Sequence, residues 1–491
     1  MNDNNTKKIA YSAGAQMIGK LVGILVSLAT VAALFEYLGI EGVGKYTTAF
    51  AFVAFFSIFA DFGLQWTLIR ELSISEDKNK VFKNIFTLRL FLALFVHLLS
   101  FACVWLFNYP YDVKLAVGIV TLAWFFLTMN STLVGVFLNK YRMDIAVGAE
   151  VVGRILTLLI IYLLVYLQAG FYVIMASYIA GNALNFLINL FAVSKYVEIG
   201  FSFDKVYLKK VIALAAPIGI TMMFGFVYYK MDSLMLSFMK GMVDVGIYGT
   251  PYKLLEVLQY IPTMLLGAAF PLITSYAVNK DSRLNSAFQK QFDALVVLAA
   301  PIVVATFILS APIISFIAGS RGDEFISSST VSIMGYQMTS VTCLRILIFS
   351  VGINFFTALY NYLVVSIGGQ KALVYPTIGF ALFNVVLNLI LIPRFSYVGA
   401  AFATLTTEIL VVAVTYIVSR RFIKIPLKLD RIPRIILCSL AMGAVAYLML
   451  QANINVMLAC AFCVAVYVLC IYIFNVLPAG FVNSLISRSR D

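Results

Sequence analysis

IAYSAGAQMIGKLVGILVSLATVAALF at residues 9–35, EYLGIEGVGKY at 36–46 and TTAFAFVAFFSIFADFGLQWTLIR at 47–70 decide what kind of protein this is. Residues 10–71 read as two apolar helices joined by a short Gly-rich link. Each apolar run exceeds the roughly 18–20 residues that cross a bilayer, so both are expected to span one. The first carries Lys20 near its middle and the second carries Asp61. The pattern returns about 200 residues later, where Ala213–Phe238 carries Lys230 and Asp232 and runs into MKGMVDVGIY. There Val245-Gly246-x-Tyr248 lies over Val43-Gly44-x-Tyr46 of the first link.

Composition agrees with this reading. The chain has 491 residues, 62% hydrophobic and 12% charged, whereas soluble domains carry about 25% charged residues. An all-α polytopic membrane protein follows. Fourteen spans are expected, near 10–36, 43–71, 84–108, 113–138, 146–168, 170–196, 208–238, 244–276, 289–317, 332–366, 372–393, 398–422, 432–451 and 455–476. The first apolar run is too long for a signal peptide and is kept as a span.

The net charge of +13 is spread over short loops, which favours membrane orientation over nucleic acid as its cause. With both termini in the cytoplasm, 24 Lys and Arg fall in inside segments and five in outside ones. Losing one span would invert every later loop and destroy that bias. No loop is long enough for a soluble catalytic domain, so transport or chemistry belongs to the membrane. The repeat divides the chain into a six-helix lobe at 1–200, a second at 201–422, and a helix pair with tail at 423–491. Lobes of even helix number share orientation, which fits two halves rocking about a central cavity.

Each charge within a span costs about 2.5–3.5 kcal/mol on insertion scales and calls for a reason. Arg89 is close enough to a helix start to snorkel to the surface. Glu150 and Arg154 are spaced i,i+4, and Lys253 and Glu256 i,i+3, so each pair can form on one helix. Lys230 and Asp232 are two apart and cannot share a face. Lys20, Arg345 and Glu408 are read as mid-span charges without an ion partner on their own helix, turned to a water-filled cavity. Cations outnumber acids there, so an anion such as a diphosphate is the expected ligand.

Other motifs weaken on inspection. Gly14-AQMI-Gly19-Lys20 starts like a phosphate loop, but Leu21 stands where Ser or Thr is needed. Gly19 and Gly23 instead form a close helix-packing face. The cysteines 103, 343, 438, 460, 463 and 470 all lie in apolar runs and read as small hydrophobes. His97 is the only histidine, so neither a His-based metal site nor a Ser-His-Asp triad is expected. No cofactor is expected either.

Leu38-Gly39-IEGVGKY, Ala60-Asp61-Phe62-Gly63-Leu64 with Arg70, Asp232 before Val245-Gly246-Ile247-Tyr248, and Asn384-VVLNLILIPRFSYVGAAFATLTTE ending at Glu408 together resemble a known family. The chain resembles the polysaccharide transporters, or O-antigen (Wzx-type) flippases, of the multidrug/oligosaccharidyl-lipid/polysaccharide (MOP) exporter superfamily, over about residues 5–425. The resemblance implies a MATE-like fold and a flippase alternating between inward- and outward-facing states. Its implied substrate is an undecaprenyl-diphosphate-linked oligosaccharide, moved across a bacterial or archaeal cytoplasmic membrane by a single chain. It implies membrane lipids, a polysaccharide polymerase and chain-length machinery as partners. Lys20, Lys230, Lys253, Arg345 and Arg154 would bind substrate in the cationic cavity. Asp61, Asp232, Glu256 and Glu408 would serve ion coupling or gating. A lipid II flippase is the nearest rival, and a multidrug exporter the next, although that would favour acids in the cavity. A membrane glycosyltransferase or polymerase would need a surface carboxylate pair, for which Asp323-Glu324 is the available outside pair.

Overall fold

The computed structural model describes residues 3–474 apart from 453, together with 476; side chains at 3–11, 13 and 268 lie outside the description. The expected basic tail with Arg488 and Arg490 also lies outside the described residues. The chain runs α1 (Asp3–Asp61), α2 (Leu64–Ile74), α3 (Lys78–Val104), α4 (Tyr111–Asn139), α5 (Met143–Tyr166), α6 (Phe171–Val193), α7 (Lys205–Met239), α8 (Met242–Leu258) and α9 (Tyr260–Val278). It continues through α10 (Arg283–Ile308), α11 (Ser310–Ala318), α12 (Gly322–Ser327), the strands β1 (Val331–Ile333) and β2 (Tyr336–Met338), α13 (Ser340–Ser366), α14 (Val374–Phe422), α15 (Ile432–Gln451) and α16 (Val456–Ile473). Among the described residues eleven helical stretches are long and apolar enough to cross a membrane, or twelve with the 48° bent pair Met242–Gly267 and Ala269–Val278 taken as one span. Two of these stretches each contain two expected spans, so counting their halves recovers fourteen.

The two doubled stretches turn where the sequence breaks helical geometry. A straight helix of 59 residues would be about 90 Å long at 1.5 Å per residue, far more than one bilayer. Gly39 turns α1 with φ 66° and ψ −178°. In α14 the turn falls at Ser396, with φ 48°, an uncommon conformation for a residue with a side chain. Its Oγ donates to Asp244 Oδ1 at 2.7 Å, and Lys240 Nζ donates to the Pro393 carbonyl at 3.1 Å. The link between α7 and α8 therefore holds this turn in place. The expected second span also breaks, at Phe62–Gly63, where both residues have positive φ.

The two copies of the Val-Gly-x-Tyr repeat meet each other. A Cβ on Gly44 would lie 1.8 Å from the Met242 carbonyl oxygen, and one on Gly246 2.0 Å from that of Ile40. Each carbonyl belongs to the residue four positions before the glycine of its own copy, so the contact is symmetric. Only glycine allows backbones this close.

By contact the chain divides into two compact units. One comprises 1–249, 317–321 and 377–400; the other comprises 250–316, 322–376 and 401–491. In the first, Leu64, Leu68 and Leu72 of α2 line one helical face and pack with Phe82, Ile85 and Phe86 of α3, Leu133 and Phe137 of α4, and Val211 and Ala215 of α7. Water is scarce there, so polar side chains serve as glue: Asn189 Nδ2 donates to Asn130 and Asn185 at 2.9 Å each, joining α4 to α6. In the second unit α10 packs on α13 and α15, and α15 on α16. Tyr467 donates to the Val297 carbonyl at 2.8 Å, and Arg431 pairs with Asp293 at 2.7 Å.

One expected boundary is wrong. The span drawn at 332–366 begins with an antiparallel hairpin, Val331 pairing with Met338, and its helix starts only at Ser340. Met334 and Gly335 at the hairpin tip both have positive φ.

Candidate functional site

The intramembrane charges fall into separate groups within the two units. In the first unit Arg89 of α3 is fully buried and pairs with Asp61 at the end of α1, Nη2 to Oδ1 at 2.5 Å. Its Nη1 donates to the Thr128 carbonyl at 3.3 Å and to Ser131 Oγ, both on α4. Arg89 therefore does not snorkel; it fastens α1, α3 and α4 together. A guanidinium presents five donors in a rigid fork, so one side chain of α3 reaches acceptors on both α1 and α4. Both charges were legible in the sequence, but nothing in their spacing pairs residues 28 positions apart.

Arg154 forms the i,i+4 pair with Glu150 at 2.5 Å. It also reaches α1, donating to Ser27 Oγ and to the Gly23 carbonyl at 3.4 Å. Gly23 lies against it, and a Cβ there would meet Arg154 Cδ at 3.6 Å, an ordinary contact. Gly19 approaches Val147 still more closely, so the Gly19/Gly23 face packs on α5. Lys20 is exposed. Lys20, Gly23 and Ser27 are spaced i, i+3, i+7 and share one stripe of α1. The cation of α1 and the cation of α5 are thus brought to one helix face.

Asp232 is buried, while Lys230, two residues before it, is half-buried. The carboxylate accepts from the Tyr248 hydroxyl and from the Ser233 N–H at 2.7 Å. Tyr248 is the tyrosine of the second Val-Gly-x-Tyr copy, so the repeat supplies this buried acid with a donor.

In the second unit Lys253 and Glu256 pair at 2.9 Å, each about one-quarter exposed. Buried Glu408 accepts from Asn354 Nδ2 at 3.2 Å. Arg345 meets no carboxylate within hydrogen-bonding range among the described residues. Its Nε donates to Ser310 Oγ at 3.0 Å, and its guanidinium lies 5.4 Å from the centre of the Phe307 ring. The expectation that Arg345 lies mid-span is corrected by the hairpin: with the helix starting at Ser340, Arg345 is in its second turn.

The six cysteines are free thiols, and Cys460 is exposed while Cys463 is buried, so the two do not converge. His97 is buried, with Nδ1 2.8 Å from the Ala93 carbonyl oxygen. Among the described residues no three His, Cys, Asp or Glu are grouped to hold a metal ion.

Comparison with known proteins places this architecture. No curated protein sequence matches the chain. Among solved structures it is similar to "Lipid II flippase MurJ, inward closed conformation", at 14% identity and TM-score 0.75, over 95% of this chain and 98% of that one. It is also similar to an inward-facing multidrug resistance MATE family transporter of the MOP superfamily, at 15% identity and TM-score 0.62, over 82% and 95%. A third is a MOP superfamily transporter from Pyrococcus furiosus whose binding pocket is described as of reverse polarity, at 16% identity and TM-score 0.56, over 85% and 96%. At such identities these likenesses establish the fold, which is that of MOP-superfamily transporters. A family profile described as "Polysaccharide biosynthesis protein" matches residues 5–277, more than half of the chain, and the protein therefore belongs to that family.

Proposed function

We propose that the protein is a flippase. It carries an undecaprenyl-diphosphate-linked oligosaccharide across a cytoplasmic membrane by alternating access. The observation that supports this is the pairing of the intramembrane charges. Asp61, Asp232, Glu256 and Glu408 are each engaged by a donor. Lys20 is exposed, and Arg345 meets a hydroxyl and a ring instead of a carboxylate. The charge available to a ligand is therefore positive, which suits a diphosphate and not a cationic drug.

In this reading Lys20, Lys230, Lys253, Arg345 and Arg154 line the substrate path, and Asp61, Asp232, Glu256 and Glu408 are the acids for coupling or gating. The lobes are 1–200 and 201–422, with 423–491 as an added helix pair and tail, both termini cytoplasmic. The working unit is a single chain, and a polymerase with chain-length machinery consumes the product. About two negative charges leaving an inside-negative cell gain about 2.3 kcal/mol each per 100 mV.

The test is complementation in a strain lacking its own O-antigen flippase, with Lys20→Ala and Arg345→Ala beside wild type at equal protein level. Surface polysaccharide restored by wild type and lost in both variants is the expected result. Restoration by all three moves the site away from these residues. The high structural similarity to a lipid II flippase supports a second reading, in which the cargo is lipid II. Wild type that restores viability to a strain lacking its lipid II flippase, without restoring surface polysaccharide, would establish that reading instead.

A further inference from the structure

The first unit contains a wholly apolar groove of about 520 Å³, within the range of about 300–1,000 Å³ typical of ligand pockets. Phe55 and Phe59 of α1, with Phe62 in the turn that follows it, line one wall, and Leu92, Phe95 and Leu99 of α3 another. Ile212 and Ala215 of α7 close it. Phe55 and Phe59 are spaced i,i+4 on α1, and Leu92, Phe95 and Leu99 i,i+3,i+7 on α3, so each set lies on one helical face. Phe95 is 64% exposed, so the groove opens sideways from helices that cross the membrane. Water needs two to four polar partners to occupy a cavity, and these walls supply none. Hydrocarbon is the filling that such walls admit.

One end of the groove selects the kind of hydrocarbon. Lys205, Lys209 and Ile212 are spaced i, i+4, i+7 on α7, so both lysines continue the stripe that carries Ile212 out of the groove. Both are exposed. Their neighbour Lys210 is engaged with Glu71 at 3.1 Å. No carboxylate among the described residues pairs with Lys205 or Lys209. An apolar slot that ends in two available ammonium groups complements an anionic lipid. Five phenylalanines among the lining residues present ring faces suited to a methyl-branched chain.

We propose that the groove between α1, α3 and α7 holds the hydrocarbon chain of a polyisoprenyl phosphate, with its anionic head at Lys205 and Lys209. The assignment rests on the flippase reading for the kind of lipid. It deepens that reading by giving the tail a binding place of its own, distinct from the charged residues proposed for the head group's passage.

The test measures binding without transport. Purified full-length protein is incubated with undecaprenyl phosphate, and retained lipid is read by native mass spectrometry. Wild type is expected to retain it. Leu92→Trp, which fills the groove, and Phe95→Ala, which removes an exposed wall without disturbing the core, are each expected to lower retention about ten-fold. Leu159→Trp, at an exposed position of α5, is expected to leave it unchanged. The double variant Lys205→Gln/Lys209→Gln is expected to weaken retention of undecaprenyl phosphate but not of uncharged undecaprenol. Equal retention by wild type and both groove variants overturns the proposal. Equal retention of phosphatidylglycerol, lost in the same variants, overturns the isoprenoid assignment. Lipid retained by a wild-type chain that moves neither polysaccharide precursor nor lipid II refutes the flippase reading and leaves the groove standing.

Discussion

Neutralising Asp61 tests whether the buried pair with Arg89 holds the first unit together. Arg89 is fully buried and Asp61 is 20% exposed. With charge centres about 4 Å apart and an effective dielectric constant of about 20, the attraction is about 4 kcal/mol. Asp61→Asn keeps the shape but leaves a buried cation with neutral acceptors alone: the new amide oxygen, the Thr128 carbonyl and the Ser131 hydroxyl. Breaking a buried pair from one side costs about 3–5 kcal/mol, and the partial exposure of Asp61 sets the expectation near the lower end. Replacing both partners, as Asp61→Asn/Arg89→Met, removes the stranded charge, so the double variant is expected to be more stable than Asp61→Asn alone. The assay is thermal unfolding in detergent, followed by the loss of helical circular dichroism. A fall of roughly 5 °C is expected for Asp61→Asn, with at least half recovered in the double variant. An unchanged melting temperature for Asp61→Asn, or a double variant whose loss is the sum of the two single losses, would refute the argument.

Helix propensity alone says that Gly44→Ala should stabilise by up to about 1 kcal/mol. The Met242 carbonyl 1.8 Å from the new methyl predicts a loss of about 1–3 kcal/mol instead, and a raised melting temperature would contradict the symmetric contact. Tyr248→Phe removes a donor from buried Asp232 and is expected to cost about 1.5–3 kcal/mol in the same assay. At the surface, the hydrogen bond and charge of Lys80, 2.9 Å from Asp204, hold that carboxyl below its ordinary range. A lowered carboxylate pKa gives stability that is present above the ordinary value of about 4 and lost as pH falls through the lowered one. The melting temperature of Asp204→Asn should therefore approach that of wild type below about pH 4, and a constant difference down to pH 2 would exclude the linkage.

Sequence alone was enough for the parts of this protein that depend on local composition. Apolar runs longer than a bilayer is thick mark the spans, because a backbone in hydrocarbon must satisfy its own hydrogen bonds by forming helix. The fourteen-span frame, the Gly-rich turns and the i,i+4 pair of Glu150 and Arg154 follow from patterns within a few residues of each other. The Val-Gly-x-Tyr repeat was also legible, as similarity along the chain. Tertiary structure decided what depends on residues far apart. Arg89 looked like a snorkelling surface cation because it lies five residues from an expected helix start; packing placed it inside, opposite Asp61. Arg345 looked mid-span because the hairpin at 331–338 is apolar enough to pass for helix, and its turn, with Met334 and Gly335 at positive φ, leaves no periodic signal. The meeting of Gly44 with Met242, and of Gly246 with Ile40, could not be read from either copy alone. Neither could the groove that joins phenylalanines of α1 to leucines of α3. Hydropathy determines which segments enter the membrane, but which of their faces meet is set by shape and by the few polar groups that must find partners there.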